Sequence, residues 1–322
     1  MPTEAECTDL PPTDVVAEAD KNTTCAQWAE WGECENANGW LDNYCDASCG
    51  RCMSTTAPEP TMSGGGGPEP SGPSTPSTPD GMDLGNDNPY SPITNGQQGW
   101  GSRYWDCCKQ SCAWKGNSSN PVPSCGKDDN FLGVSDDKNS CEANGMSGAF
   151  ACHSMAPWAH SNVVSYGYAA VNGVGCGTCF QIEFDGGSHN GGNDPGCASL
   201  KGKTMIVQAT NIGGIEQGQF DILIPGGGVG ALNGCAGQWG VDNSELGAQY
   251  GGFLPACKQG NADYEGVKKC MRDKCQSIFG SRNLTELYDG CIWFVDWFGA
   301  ADNPSFKYQQ INCPQDLNNH IN

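Results

Sequence analysis

The chain of 322 residues is long enough for one large domain and a small one. Its 37 Asp and Glu residues outnumber its 16 Lys and Arg residues, for a formal net charge of −21. That balance argues against nucleic acid or an anionic membrane as a partner, because binding phosphate groups requires clustered cations. The 21 cysteines indicate an oxidising compartment, and their odd number leaves at least one without an intramolecular partner.

Composition divides the chain into three zones. Residues 1–52 hold six cysteines in a segment too short to fold without cross-links, so we expect three disulfides there. Residues 53–95 are rich in Pro, Ser, Thr and Gly; they cannot bury enough apolar surface to offset chain entropy and are predicted to be a linker. Residues 96–322 carry the other fifteen cysteines and form the predicted main domain.

Short runs of β-forming residues recur through this main domain, separated by turns rich in Gly and Pro. They are SYGYAAV (165–171), CFQIEF (179–184), KTMIVQAT (203–210), FDILIP (220–225), CIWFVDWF (291–298) and FKYQQINC (306–313). One segment, YEGVKKCMRDKCQSIFG (264–280), favours a short helix. The pattern predicts a mainly β fold, a closed barrel braced by disulfides.

Two C-x-x-C pairs, Cys49–Cys52 and Cys176–Cys179, have the spacing of half a zinc site. The remaining cysteines are dispersed along the chain, however, and the four histidines form no spaced pair. Disulfides are therefore favoured over metal ligation, and we expect neither a metal nor another cofactor.

A glycine-rich segment and two histidines are expected to have structural rather than catalytic roles. IPGGGVG (224–230) lacks the Lys-Ser/Thr ending of a phosphate-binding loop, so it predicts a tight turn where backbone or substrate approaches closely. His153 and His160 lie in a loop-like run and are interpreted as surface polar groups.

Two carboxylates stand in distinctive surroundings. Asp106 lies between Trp105 and the adjacent Cys107 and Cys108 in GSRYWDCCKQSCAW (101–114), where cross-links would fix it. Asp221 lies at the start of the apolar run FDILIP. Glycoside hydrolysis requires two such groups: one protonates the leaving oxygen, and the other is the nucleophile or activates water. Residue types alone leave this open, since any of the 37 acids could be a solvated surface group.

Four segments in order across residues 98–316 resemble glycoside hydrolase family 45, the small inverting endo-β-1,4-glucanases. They are GSRYWDCCKQSCAW, GQFDILIPGGGVG, YGG (250–252) and CIWFVDWFGAADNPSFKYQQINCP. The resemblance implies a six-stranded double-psi β-barrel with long disulfide-braced loops and an open groove for a β-1,4-glucan chain. It also implies that Asp106 is the general base and Asp221 the general acid. Because inversion requires room for a water, we expect their carboxyl groups to lie about 6.5–9.5 Å apart.

The resemblance also suggests substrate contacts. Tyr104 matches the aromatic residue beside the cleavage point, and Trp114 matches a residue that stacks on a sugar ring. Either one could instead be a buried aromatic of a disulfide-rich core.

The sequence neighbours of the two carboxylates give an expectation about their charge. Arg103 and Lys109, also candidates for the substrate groove, are close to Asp106 in sequence and would keep it ionised, as a base requires. The apolar neighbours of Asp221 would raise its pKa and keep it protonated, as an acid requires.

The chain departs from the family pattern before the acid. A further Asp is frequent in family members seven residues upstream of it, where this chain has Gly214. Glu216 is the acid available in that loop and is our candidate substitute. A His is common two residues before the acid, where this chain has Gln219.

The resemblance implies five disulfides in the main domain. They are Cys107–Cys235, Cys108–Cys141, Cys112–Cys176, Cys125–Cys152 and Cys179–Cys313. Five cysteines remain, of which one should be unpaired: Cys197, Cys257, Cys270, Cys275 and Cys291. The insertion around residues 256–275 has no counterpart that the resemblance can place.

The N-terminal segment CAQWAEWGECENANGWLDNYCDASCGRC (25–52) resembles the six-cysteine ShK toxin-like module. Channel-blocking members use a Lys-Tyr pair, and with only Lys21 and Arg51 as cations this module is not expected to block channels. Its aromatic residues either form a carbohydrate-binding face or fill a small core. They are Trp28, Trp31, Trp40 and Tyr44.

Taken together, these features predict a secreted, monomeric endo-β-1,4-glucanase acting on cellulose or related glucans, its signal peptide absent from this sequence. No apolar run is long enough to span a membrane. The alternative is an expansin-like, non-hydrolytic glucan-binding protein on the same barrel. Expansins generally lack the base, so Asp106 favours the enzyme. A secreted toxin would leave the large domain unexplained.

Overall fold

The computed structural model describes residues 83–118, 121–261 and 263–320. Trp28, Trp31, Trp40 and Tyr44 lie outside these residues, and their role stays a prediction. Nine strands occur in the described part of the chain. They are β1 (Gln97–Tyr104), β2 (Ser124–Cys125), β3 (Phe131–Gly133), β4 (Trp158–Ala159), β5 (Val164–Val171), β6 (Cys179–Ser188), β7 (Thr204–Asn211), β8 (Gln219–Leu223) and β9 (Pro304–Ile311).

Six of these strands form a ring in the order β5-β7-β6-β9-β1-β8, and pairing of β8 with β5 closes it. The pairs β1–β8 and β5–β7 are parallel, whereas β5–β8, β6–β7, β6–β9 and β1–β9 are antiparallel. The short β4 extends the sheet at β5, and β2 and β3 pair separately. The predicted mainly β fold is confirmed.

Aromatic side chains fill the ring. Phe220 of β8 contacts Phe180 of β6 and Phe306 and Tyr308 of β9 edge-on, with ring centroids 4.8–5.6 Å apart. Every residue of β5 is buried, as expected for a strand covered on both faces. The strand predictions at 165–171, 179–184, 203–210, 220–225 and 306–313 are confirmed.

Helices cover the outside of this framework. They are α1 (Pro195–Ser199), α2 (Cys235–Trp239), α3 (Phe253–Gly260), α4 (Tyr264–Ile278), α5 (Thr285–Asp296) and α6 (Gln315–His320). The helix predicted from residue 264 is confirmed as α4. The strand predicted for CIWFVDWF is wrong, because six of its residues lie in α5 and Trp297 ends that helix. A continuous apolar run fits a buried helix as well as a buried strand, and residues 290–295 are buried all round the helix.

Seven disulfides brace the described residues. Each of the five pairs implied by the family resemblance is bonded: Cys107–Cys235, Cys108–Cys141, Cys112–Cys176, Cys125–Cys152 and Cys179–Cys313. Two more link the insertion: Cys257–Cys270 joins α3 to α4, and Cys275–Cys291 joins α4 to α5. Cys197 is left with a buried free thiol, whose pKa burial raises to about 12, so it is protonated and unreactive.

Within the described residues, none of the helices has the length and apolar character needed to cross a bilayer.

Candidate active site

Asp106 and Asp221 line the same cleft, which has a volume of about 730 Å³. Asp106 follows the end of β1, and Asp221 lies in β8 between β1 and β5. Residues of the loops at 213–215, 228–232 and 249–251 complete the walls. The ring of strands therefore brings together two carboxyl groups that are 115 positions apart in the sequence, and that arrangement permits acid–base chemistry on a bound ligand.

The backbone around Asp106 is held in an unusual conformation. Cys107 has a φ of +63°, a left-handed value that favours glycine. This turn directs the Cys108 N–H toward Asp106, where it donates to Oδ1 at 2.9 Å. The Asp106 carbonyl accepts from Gly234 N at 2.9 Å. The disulfides of Cys107 and Cys108 tie the turn to two other segments, so the carboxylate has little freedom to move.

Asp221 is held by side chains of neighbouring strands. The parallel register of β1 and β8 pairs Ser102 with Asp221. The Ser102 hydroxyl donates to Asp221 Oδ1 at 2.6 Å, and Gln219 Nε2 donates to the Ser102 oxygen at 2.8 Å. Gln219 Oε1 accepts in turn from Glu216 N at 3.0 Å. The chain of hydrogen bonds occupies one oxygen of Asp221 and leaves the other for a proton.

Burial raises the pKa of both carboxyl groups. It raises the pKa of Asp106 to about 6, against hydrogen bonds from the backbone and with help from the negative charge of Asp221. It also raises the pKa of Asp221 to about 6, against the Ser102 hydrogen bond and the positive charge of Arg103. Near pH 6 the pair can therefore hold a single proton, the state in which one group is an acid and the other a base.

Arg103 lines the cleft, as expected of a groove residue, and Lys109 does not; neither acts on Asp106 as the sequence suggested. The positive charge of Arg103 lowers the pKa of Asp221 rather than that of Asp106. Its guanidinium group donates to Asp302 Oδ1 at 3.0 Å and to Gly251 O at 3.2 Å. The Lys109 ammonium group donates to the carbonyls of Ser135 and Asp137. The expectation that these cations keep Asp106 ionised is wrong, because both charged groups bind other partners and neither contributes to the pKa of Asp106.

Tyr104 lies in the cleft wall with its hydroxyl fully engaged. The hydroxyl donates to Gln110 Oε1 at 3.0 Å and accepts from Asn211 Nδ2 at 3.1 Å. Burial and the charges of Asp106 and Asp221 raise the Tyr104 pKa well above its usual value. The phenol therefore stays neutral and presents a fixed surface beside both carboxyl groups.

The structure does not bring the other three predicted substrate residues, Lys109, Trp114 and Glu216, into the cleft wall. The Lys109 ammonium group lies 3.7 Å from the centroid of the Trp114 ring and covers one face of it. The loop that carries Glu216 lines the cleft through Gly213, Gly214 and Ile215. The Glu216 side chain itself is exposed and lies outside the lining.

Three cleft residues were not predicted. Trp100 stacks on His189 with ring centroids 4.1 Å apart, and Leu232 and Tyr250 are exposed. Trp100 alternates along β1 with Ser102 and Tyr104 and therefore shares their side of the strand, a signal that was available in the sequence. Exposed flat rings in a cleft can stack on sugar rings.

The predicted glycine turn at 224–230 is confirmed and forms part of the cleft wall. Gly226 and Gly228 have φ values of +81° and +103°. A Cβ on Gly228 would lie 2.7 Å from Gly251 N, and one on Gly252 would lie 1.9 Å from Gly226 O. Two glycine turns thus pack backbone against backbone, and no larger residue fits there.

Two family models match parts of the chain. Residues 98–281 match the model of glycosyl hydrolase family 45, and residues 6–52 match a model described as ShK domain-like. The chain is 51% identical over 234 residues to Endoglucanase B of Cellvibrio japonicus, covering 70% of this chain and 45% of that protein. It is 35% identical over 231 residues to the endoglucanase of Cryptopygus antarcticus, covering 69% of this chain and 86% of that protein.

The fold is also similar to a solved structure. The crystal structure of the cellulase from the Antarctic springtail Cryptopygus antarcticus superimposes with a TM-score of 0.55 at 31% sequence identity, covering 71% of this chain and 97% of that one. This chain spans about half the length of the bacterial relative.

Proposed function

The chain belongs to glycosyl hydrolase family 45, and on that premise we propose that it is an endo-β-1,4-glucanase that hydrolyses internal bonds of cellulose and related β-glucans with inversion. The observation that carries the proposal is the pair of half-buried carboxyl groups, Asp106 and Asp221, lining one open cleft. The relatives named as endoglucanases and cellulase add support.

In the proposed mechanism Asp221 is the general acid. Its Oδ1 accepts the Ser102 hydrogen bond, so Oδ2 carries the proton and delivers it to the glycosidic oxygen as the bond to the anomeric carbon breaks. The raised pKa keeps Asp221 protonated at mildly acidic pH. The sugar leaves as a neutral alcohol, and Asp221 becomes a carboxylate.

Asp106 is the general base in this mechanism. It removes a proton from a water whose oxygen bonds to the anomeric carbon on the face opposite the departing sugar, which inverts the configuration. The carboxyl separation of about 6.5–9.5 Å belongs to this proposal, because the water must fit between base and sugar. Asp106 and Asp221 exchange their protonation states in each turnover, and solvent restores them.

We propose that the glucan lies along the open cleft with sugar rings against Tyr104, Trp100 and Tyr250. The exposed ring of Tyr250 and the stacked ring of Trp100 suit the flat faces of a pyranose. Trp114 would stack on a sugar beyond the cleft described above. Glu216 would take the place of the further acid in the loop, because it lies on the segment that borders the cleft.

The wider organisation of the protein is proposed as well. We propose that the closed ring is a double-psi β-barrel, and that residues 1–52 form a separate module tethered by a linker at 53–95. The family match at 6–52 supports the module. The many disulfides support secretion, because they persist in oxidising compartments. The proposed partner is a β-1,4-glucan, bound by a monomer.

The proposal is tested with Asp106→Asn and Asp221→Asn on a soluble cello-oligosaccharide. Each change should lower kcat at least about 100-fold, because general acid or base catalysis contributes that much. Glucan binding should be retained, since the amide keeps the shape of the side chain. Asp136→Asn, an exposed acid outside the cleft, is the matched control and should keep full activity.

Two results would contradict the proposal. Retained activity in either active-site variant would mean that the role of that residue is misassigned. Glucan binding by the unaltered protein without any product would favour the non-hydrolytic, expansin-like alternative.

A further inference from the structure

A second cleft, of about 650 Å³, shares no lining residue with the first. Three side chains with metal-ligand atoms meet in it: Asp129, His153 and Glu286. Their ligand atoms all lie within 4.8 Å of one another. His153 is buried and is not the surface group that the sequence suggested. The mechanism proposed above uses none of these residues.

Two of the three side chains are fixed by the fold. Asp129 has a φ of +59°, and its Oδ1 accepts from His153 N at 2.9 Å. The Cys125–Cys152 disulfide ties the segment before Asp129 to the residue before His153. Glu286 lies in the first turn of α5 with an exposed side chain. Asp129 and His153 are therefore held in place by the fold, whereas the Glu286 side chain is free to approach them.

The spacing of the fixed pair suits a metal ion better than a hydrogen bond. His153 Nδ1 and Asp129 Oδ2 are 3.5 Å apart. Two ligands bound at 2.0–2.1 Å to a tetrahedral ion lie about 3.4 Å from each other. The carboxylate of the exposed Glu286 side chain lies within 4.8 Å of both ligand atoms, so a small rotation would be needed for it to bind the same ion.

Gln238 provides an independent observation. Its side chain is only 9% exposed, and its Oε1 has no hydrogen-bond partner among the described residues. Its Nε2 lies 3.4 Å from His153 Nε2 and 3.3 Å from Lys127 O. A histidine that binds a metal through Nδ1 carries its proton on Nε2 and donates it to an acceptor. Rotating the Gln238 amide would present the unpaired oxygen to that proton, at the cost of the hydrogen bond from Nε2 to Lys127 O.

The cations of this cleft do not neutralise the carboxylates. Arg282 donates to the carbonyls of Ser277 and Ile278. In the described part of the chain no Lys or Arg forms an ion pair with Asp129 or Glu286. Two carboxylates and an imidazole are thus left facing one another without a positive partner.

We propose that Asp129, His153 and Glu286 bind a divalent transition-metal ion of the Zn²⁺ type, with water completing a tetrahedral set. A mixed nitrogen and oxygen set favours such an ion over Ca²⁺, which takes six to eight oxygen ligands. The ion joins the loop before β3 to the start of α5 and stabilises the fold. This inference departs from the sequence-based expectation of no metal, which considered only cysteine clusters and spaced histidines.

The test uses the full chain, stripped with EDTA, dialysed and titrated with ZnCl₂ by calorimetry. Glu286→Gln removes one ligand at an exposed position, and Asp129→Asn keeps the Oδ1 acceptor for His153 N. Glu265→Gln is the matched control, because Glu265 is the exposed first-turn acid of α4. We expect one Zn²⁺ site per chain. Its affinity should fall at least about tenfold in both ligand variants and should be unchanged in Glu265→Gln.

Thermal unfolding provides the second readout. Zn²⁺ at a hundredfold excess over its Kd should raise the melting temperature of the unaltered chain by about 5 °C or more, and that of Glu286→Gln much less. The proposal is overturned if no stoichiometric site is found. It is equally overturned if Glu286→Gln and Asp129→Asn bind Zn²⁺ as tightly as the unaltered chain, since the ion would then lie elsewhere.

Discussion

Replacing Asp221 by asparagine should abolish the acid and yet stabilise the folded protein above pH 7. Burial raises the pKa of Asp221 from 3.8 to about 6. A shift of about two pKa units corresponds to about 3 kcal/mol, at 1.36 kcal/mol per unit. This is the cost of keeping the ionised carboxylate in the folded protein, and a neutral amide does not carry it.

The pH dependence of the free energy of unfolding follows from proton binding to Asp221. Between about pH 4 and pH 6 the folded state holds the Asp221 proton more tightly than the unfolded state, so the free energy of unfolding falls as pH rises. The cost is complete above pH 7 and small below pH 4. In the unaltered protein the Ser102 hydroxyl donates to Asp221 Oδ1. The amide oxygen of asparagine can accept the same hydrogen bond, so the substitution does not remove it.

The assay is urea unfolding of the disulfide-intact protein at pH 4 and pH 8, with Asp136→Asn as the exposed control. We expect the free energy of unfolding of Asp221→Asn to exceed that of the unaltered protein by about 3 kcal/mol at pH 8 and by only about 0.5 kcal/mol at pH 4. Equal stability at pH 8 would refute the reasoning, because it would mean that the carboxylate is solvated and that its pKa is not raised.

Three further predictions concern catalysis. The rate on a soluble cello-oligosaccharide should follow a bell-shaped pH curve centred near pH 6. Asp106 must be ionised and Asp221 protonated, and each has a pKa of about 6. A flat profile from pH 6 to 9 would contradict this. Ser102→Ala removes a hydrogen bond that lowers the Asp221 pKa, so the alkaline limb should move to higher pH; an unmoved limb would count against that role. Tyr250→Ala should raise KM about threefold to tenfold with little change in kcat, from a stacking energy on the order of 1 kcal/mol. Phe131→Ala, which removes an equally exposed ring outside the cleft, should leave KM unchanged, and equal effects of the two changes would refute a sugar contact.

The strands of the ring could be predicted because each combines β-forming residues with clear turns. The run at 291–298 could not be assigned, since a helix buried all round and a strand buried on both faces are equally apolar. The helical start at Thr285 lies six residues before the run. Only the packing of α5 against the rest of the domain decides between the two.

The position of the two carboxylates in one cleft agrees with their motifs, but their surroundings could not be predicted. Lys109 lies three residues from Asp106, yet its ammonium group binds carbonyls near residue 136. The second cleft joins residues 129, 153 and 286. Such groups meet only through long-range contacts, which sequence spacing does not encode.

The stereochemistry of the first product tests the central claim most directly. The anomeric protons of a cello-oligosaccharide are followed by NMR from the first minutes after the enzyme is added, before the product mutarotates. With Asp106 activating water and Asp221 protonating the leaving oxygen, the new reducing end should appear first as the α-anomer. Initial appearance of the β-anomer would require a covalent intermediate and would contradict the proposed roles of both residues.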